Sequence, residues 1–124
     1  MILRDSLYTV LSADPSVPAY RIALHADHPI YRAHFPGRPV TPGVCLVQMA
    51  VELLSLSRRQ PLCLAAAKSV KFLSVVSPVE TPELSVAFHR LEPQADGTVR
   101  AQATVAAGPV ELTKLSFTCR EPAD

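Results

Sequence analysis

No apolar run in this chain approaches the ~20 residues that a membrane-spanning helix needs, so none of it reads as a span. The first residues, Met1-Ile2-Leu3-Arg4-Asp5, lack a basic segment followed by a signal-type apolar core, which points away from export. Charge is sparse as well. Charged residues make up 19% and the formal net charge is +1, which argues against nucleic acid or an anionic membrane as the main partner. So few charges in a chain of 124 residues suggest instead that another subunit covers part of the apolar surface. Cys45, Cys63 and Cys119 are odd in number, widely spaced and without a metal-ligand pattern; they read as free thiols in a reducing cytoplasm. There is no internal repeat, no low-complexity tract and no second composition, so residues 1–124 read as one domain, with 48% hydrophobic residues to build its core.

What is present is concentrated in one stretch, His34-Phe35-Pro36-Gly37-Arg38-Pro39-Val40-Thr41-Pro42-Gly43, with three prolines and two glycines in ten residues. That density of breakers excludes a regular strand or helix and sets the backbone path locally. A helix then starts, with Thr41 suited to its N-cap and Pro42 to its first position, where the missing N–H costs nothing. From Val44 to Leu54 the helix is apolar in every direction, which marks it as buried on all sides. Gln48 and Glu52 interrupt it, and being four apart they share one stripe. Arg58 and Arg59 suit the negative end of the helix dipole, and Pro61 forbids continuation.

On either side the pattern is that of strands. Tyr8–Ala13 and Ala19–Leu24 alternate around the turn at Asp14-Pro15, and residues 25–32 read as a loop with room for one helical turn. Cys63–Val76 reads as one long strand, bulged in places, and Pro78 and Pro82 frame the next connection. Leu84–Leu91, Val99–Val105 and Val110–Cys119 follow, joined at Asp96-Gly97 and Gly108-Pro109. One long buried helix with such an antiparallel meander gives an α+β domain in which the sheet wraps the helix.

The residues of the loop carry a resemblance. His34-Phe35-Pro36-Gly37 followed by Pro39-Val40-Thr41-Pro42-Gly43-Val44 closely resembles the signature of the 3-hydroxyacyl-acyl carrier protein dehydratases of type II fatty acid synthesis. Val70-Lys71-Phe72 and Val79-Glu80-Thr81-Pro82-Glu83-Leu84 extend the match more weakly, so that it covers nearly the whole chain. The resemblance implies the hot-dog fold, an antiparallel sheet around one central helix. It also implies removal of a proton next to a thioester carbonyl by His34 and loss of the β-hydroxyl as water, with an acid on the central helix of the other subunit. Phe35, Pro36, Gly37, Pro42, Gly43 and Val44 would bind substrate, the amides near Gly43 and Val44 polarising the carbonyl. No cofactor or metal is implied, since the thioester itself acidifies the proton. The implied partners are acyl carrier protein with its phosphopantetheine-linked chain and a second hot-dog subunit, identical or different. Arg32, Arg38, Lys68 and Lys71 would form a basic rim for the carrier, and His28 would line the entrance.

The match departs from the family at one position. Those enzymes carry their acid fourteen residues after the loop histidine, and Gln48 stands there in this chain. An amide cannot deliver a proton at neutral pH. Glu52 stands where those enzymes more often carry glutamine, roughly 6 Å further along the axis. Three functions follow: a dehydratase with Glu52 as acid and Gln48 holding substrate or water, an acyl-thioester-binding subunit that is inactive or depends on a partner's carboxylate, or a hot-dog thioesterase.

Overall fold

The computed structural model describes residues 2–14, 18–33 and 37–123. Six strands and two helices follow in the order β1 (Tyr8–Asp14), β2 (Ala19–Leu24), α1 (Ile30–Ala33), α2 (Gly43–Arg58), β3 (Cys63–Phe72), β4 (Glu83–Pro93), β5 (Val99–Ala107) and β6 (Val110–Arg120). The strands form one sheet in the order β1-β2-β4-β5-β6-β3, every neighbouring pair antiparallel.

Alternation decides which face of this sheet is buried. Tyr20 pairs with Val86 and Ile22 with Leu84; Val86 pairs with Val105 and Phe88 with Ala103; Ala101 pairs with Phe117 and Ala103 with Leu115. Each of these residues belongs to a single buried cluster. Side chains of period two therefore line up in rows across four strands. Bulges in β1, β3, β4 and β6 interrupt the register and curve the sheet. The same cluster contains Leu46, Met49, Ala50, Val51, Leu53 and Leu54 of α2, so the helix lies in the concavity, as expected for a helix apolar all round. The burial is not complete: Val44 at its start is 71% exposed and Leu56 near its end 37%.

Two local expectations are corrected. The N-cap of α2 is Pro42, with extended φ and ψ and no side-chain cap bond, and not Thr41. The Thr41 hydroxyl is committed elsewhere, to Tyr31. The long third strand stops at Phe72 rather than Val76, because Leu73 and Ser74 both turn their N–H groups to the Leu112 carbonyl and end the ladder. At the other helix end Arg59 adopts a left-handed conformation (φ 52°), closing α2 without a glycine.

No residue of β3 is buried, and β6 covers only one of its edges. The remaining edge continues into exposed apolar side chains at Phe72, Leu73 and Val75. A strand left bare with such a flank is a template for pairing with another chain.

Leu53 is fully buried at the centre of α2. Leu53→Ala should cost about 2–5 kcal/mol, seen as a lower urea midpoint with an unchanged slope; a loss under 1 kcal/mol would contradict this core.

Candidate active site

α2 offers two different chemical features, one at its start and one along its side. At the start, Cys45 and Leu46 both donate to the Pro42 carbonyl, at 3.0 and 3.2 Å, which leaves the Gly43 and Val44 amides without a partner inside the helix. The Phe72 ring lies against this turn: a Cβ on Gly43 would sit 2.5 Å from Phe72 Cζ. A side chain at this position would have to push the exposed Phe72 ring aside. Thr41, Pro42, Gly43, Leu46, Phe72 and Val75 line a largely apolar pocket of about 350 Å³ beside the amides. The aligned peptide dipoles place partial positive charge here, suited to a carbonyl oxygen that gains negative charge.

The side feature is the polar stripe. Glu52 is 8% exposed and accepts four hydrogen bonds. The Leu3 N–H (2.7 Å) and the Gln48 amide nitrogen (2.9 Å) donate to Oε2. The Arg4 N–H (2.8 Å) and the Tyr8 hydroxyl (2.8 Å) donate to Oε1. A carboxylate is an acceptor on both oxygens, and two donors on each satisfy it in a place where an unpaired charge would be very costly. Burial, followed by the bond to Glu52, pushes Tyr8 well above the ordinary tyrosine value, so its hydroxyl stays protonated and donating. Gln48 and Glu52 line a second pocket, about 560 Å³, with Ile2, Arg4, Leu56 and Leu62.

The expected site residues thus fall into two groups within one chain. Pro42 and Gly43 line the pocket at the helix start, whereas Gln48 and Glu52 line the pocket along its side. Gly37 belongs to a third pocket with Arg38, Val40 and Val79, and its φ of 84° favours glycine. His34, Phe35 and Pro36, the expected base and two substrate contacts, lie outside the described residues. Arg32, Arg38, Lys68 and Lys71 are exposed. His28 caps α1, its Nδ1 accepting the Ile30 N–H at 3.0 Å. His25 links Ser6 to Thr9 through both ring nitrogens, and His89 bonds Thr104.

Sequence reasoning missed Tyr8 and the N-terminal amides. Tyr8 reads simply as the first residue of a strand, and backbone donors 49 and 48 residues away from their acceptor carry no side-chain signature.

A family model described as ApeI-like (ApeI dehydratase) matches residues 13–108. The chain belongs to the ApeI-like dehydratase family. This ApeI-like chain is similar to proteins named 3-hydroxyacyl-[acyl-carrier-protein] dehydratase FabZ. One from Latilactobacillus sakei is 33% identical over 116 residues, covering 87% of this chain and 82% of the relative. Another, from Ligilactobacillus salivarius, is 29% identical over 124 residues, covering 94% and 86%. Among solved structures, the fold matches a Pyrococcus horikoshii protein, PH1136, with a TM-score of 0.67 at 12% identity, covering 96% of this chain and 85% of that one. It also matches a chain of the dehydratase heterocomplex ApeI:P from Xenorhabdus doucetiae, with a TM-score of 0.56 at 13% identity over 92% and 94%. The ApeI-like chain has the hot-dog fold, α+β, as the loop motif implies.

Removing the Glu52 carboxyl orphans buried donors at Leu3 and Tyr8, each worth about 1–3 kcal/mol. Glu52→Ala should therefore lose at least ~3 kcal/mol by urea unfolding, and a loss under 1 kcal/mol would contradict the anchoring role. Alkali offers a separate check. Burial raises Cys119 from 9.0 to about 12 and Tyr8 from 10.0 to a still higher value. Above those ordinary values the unfolded chain releases protons that the folded chain keeps. Stability should accordingly hold up to about pH 9 and fall as pH rises beyond it; a flat profile to pH 11 would contradict the burial of these groups.

Proposed function

We propose that this protein dehydrates 3-hydroxyacyl thioesters carried on acyl carrier protein to the trans-2-enoyl form. His34 takes the proton from C2, the C3–oxygen bond breaks, and the leaving hydroxide departs with a proton as water. The Gly43 and Val44 amides hold the thioester oxygen as its charge grows. Gln48 aligns the 3-hydroxyl, and Glu52 is the candidate source of the departing proton.

The observation that carries this reading is the polar pair Gln48–Glu52 on the wall of a 560 Å³ pocket, on a helix otherwise buried in apolar contacts. The FabZ-named relatives supply the substrate class by similarity. The separation of the two pockets supports a site shared between two subunits, the helix start of one facing the polar stripe of the other. The bare edge of β3 and the exposed Phe72, Leu73 and Val75 support pairing of two chains there. Such an assembly belongs in the cytoplasm, where acyl carrier protein is its partner.

A second reading draws on the four donors at Glu52. A carboxyl group engaged so fully in holding the N-terminal segment is poorly placed to move, and in this reading a different hot-dog subunit provides the acid. The Xenorhabdus doucetiae dehydratase, described as a heterocomplex, is the precedent for such a pairing.

The test is turnover of 3-hydroxyacyl carrier-protein substrates by the purified chain, read as enoyl absorbance. His34→Ala should lower kcat by about 10²-fold or more, and Glu52→Gln should damage the rate more than Gln48→Ala. Absence of turnover alone, restored by a second hot-dog subunit, would transfer the acid to that partner. Release of free thiol without enoyl product would make the protein a thioesterase and overturn the proposal. Scattering should report a dimer or larger assembly; a stable monomer would leave the shared site without its second wall.

A further inference from the structure

We propose that the 560 Å³ pocket beside the polar stripe binds an aliphatic chain ending in a carboxylate, whose charge Arg59 and Arg4 receive. Ile2, Leu56 and Leu62 give this pocket apolar walls, and the two arginines line it as well. A guanidinium stays charged at every pH at which proteins work. The acid on the same wall, Glu52, is already engaged by four donors, two on each oxygen. Neither arginine is ion-paired among the described residues, where Arg21–Glu83, Arg90–Glu92 and Glu111–Lys114 pair elsewhere. Apolar walls thus stand beside two positive charges that no acid of the pocket answers.

The turn that carries Arg59 is fixed by its own hydrogen bonds. In its left-handed conformation the Arg59 N–H donates to the Leu56 carbonyl at 3.3 Å, and the Gln60 N–H donates to the Ser55 carbonyl at 3.1 Å. These carbonyls, which would otherwise repel an anion at the end of the helix, are therefore engaged. The Ser55 hydroxyl accepts the Leu62 N–H at 3.2 Å, which holds the apolar side of the same turn. Gln60 gives its amide to Glu121, so that acid is engaged too. An anion without a chain would leave Ile2 and Leu56 in water, where they are 71% and 37% exposed. A chain without an anion would lie beside guanidinium groups and offer them no acceptor. A long-chain carboxylate satisfies both, through apolar contact and charge-assisted hydrogen bonds. From Gln48 to Arg59 the helix rises roughly 16 Å. On the dehydratase reading, on which this step alone rests, C3 lies beside Gln48 and the rest of the acyl chain runs toward Arg59. A free fatty acid presents the same chemistry to the same residues.

Calorimetric titration of the full chain with dodecanoate and with neutral dodecanamide tests the assignment. Dodecanoate should bind saturably, about tenfold or more tighter than the amide, and should shift the methyl resonances of Ile2, Leu56 and Leu62. Arg59→Met and Arg4→Met keep an apolar stem and should each reduce that preference, whereas Arg59→Lys should keep part of it. Equal binding of acid and amide overturns the proposal, as do methyl resonances that stay in place. So does a double Arg4→Met, Arg59→Met variant that keeps its thermal midpoint and binds dodecanoate as the wild type does. Turnover of 3-hydroxyacyl carrier-protein substrates ended by methyl or by carboxylate then distinguishes the sources. A higher kcat/KM for the carboxylate-ended chain, lost in Arg59→Met, makes the ligand the far end of the substrate. Preference for the methyl-ended chain, with dodecanoate competing, makes it a free fatty acid. If the wild type dehydrates neither substrate, the dehydratase reading fails while the titration still decides what the pocket binds.

Discussion

A single carboxyl group, that of Glu52, ties the beginning of the chain to the middle of its central helix. Leu3, Arg4 and Tyr8 reach it from the N-terminal segment and Gln48 from one helical turn away. Without those donors the carboxyl would be a buried charge without compensation, and without the carboxyl the donors would be orphaned. The arrangement is all or nothing. It seats β1 at the edge of the sheet, closes one side of the pocket with Ile2 and Arg4, and fixes the face on which α2 presents Gln48.

That tie bears on the proposed chemistry. A general acid in a dehydratase must exchange its proton with the leaving group, so it needs a lone pair or proton facing substrate. Glu52 has been drawn into the fold by four donors, while the residue nearer the helix start, Gln48, is an amide. Under the proposed dehydration Glu52 gives up one of these bonds to serve as the acid, and under the partner-dependent reading it stays an anchor. The helix start lies apart from that stripe, Gly43 lining a different pocket from Gln48 and Glu52.

Much of this was legible from residue pattern. The buried helix announced itself by apolar residues in every direction, the meander by alternation between turn residues, and the hot-dog architecture by the His34–Val44 motif. The spacing of Gln48 and Glu52 placed them on one stripe, as found. Other features were hidden for identifiable reasons. Thr41 looks like an N-cap because cap preference is a local property, but its hydroxyl is captured by Tyr31, ten residues earlier in the chain. Val70 to Val76 is apolar apart from Lys71 and Ser74, so nothing in its pattern marks the end of β3 at Phe72; the Leu112 carbonyl, received from another strand, does. The anchoring of Glu52 depends on main-chain donors, which every sequence possesses and none advertises.

The central claim is that the thioester and the hydroxyl of one substrate are held by two parts of α2, its amide-bearing start and its polar stripe, drawn from paired subunits. The most direct measurement is a crystal structure with an amide analogue of a 3-hydroxyacyl pantetheine. The account predicts the analogue's carbonyl oxygen on the Gly43 and Val44 amides of one subunit and its 3-hydroxyl beside Gln48 of the other. An acyl group bound away from both features, or lying wholly within one chain, would contradict it.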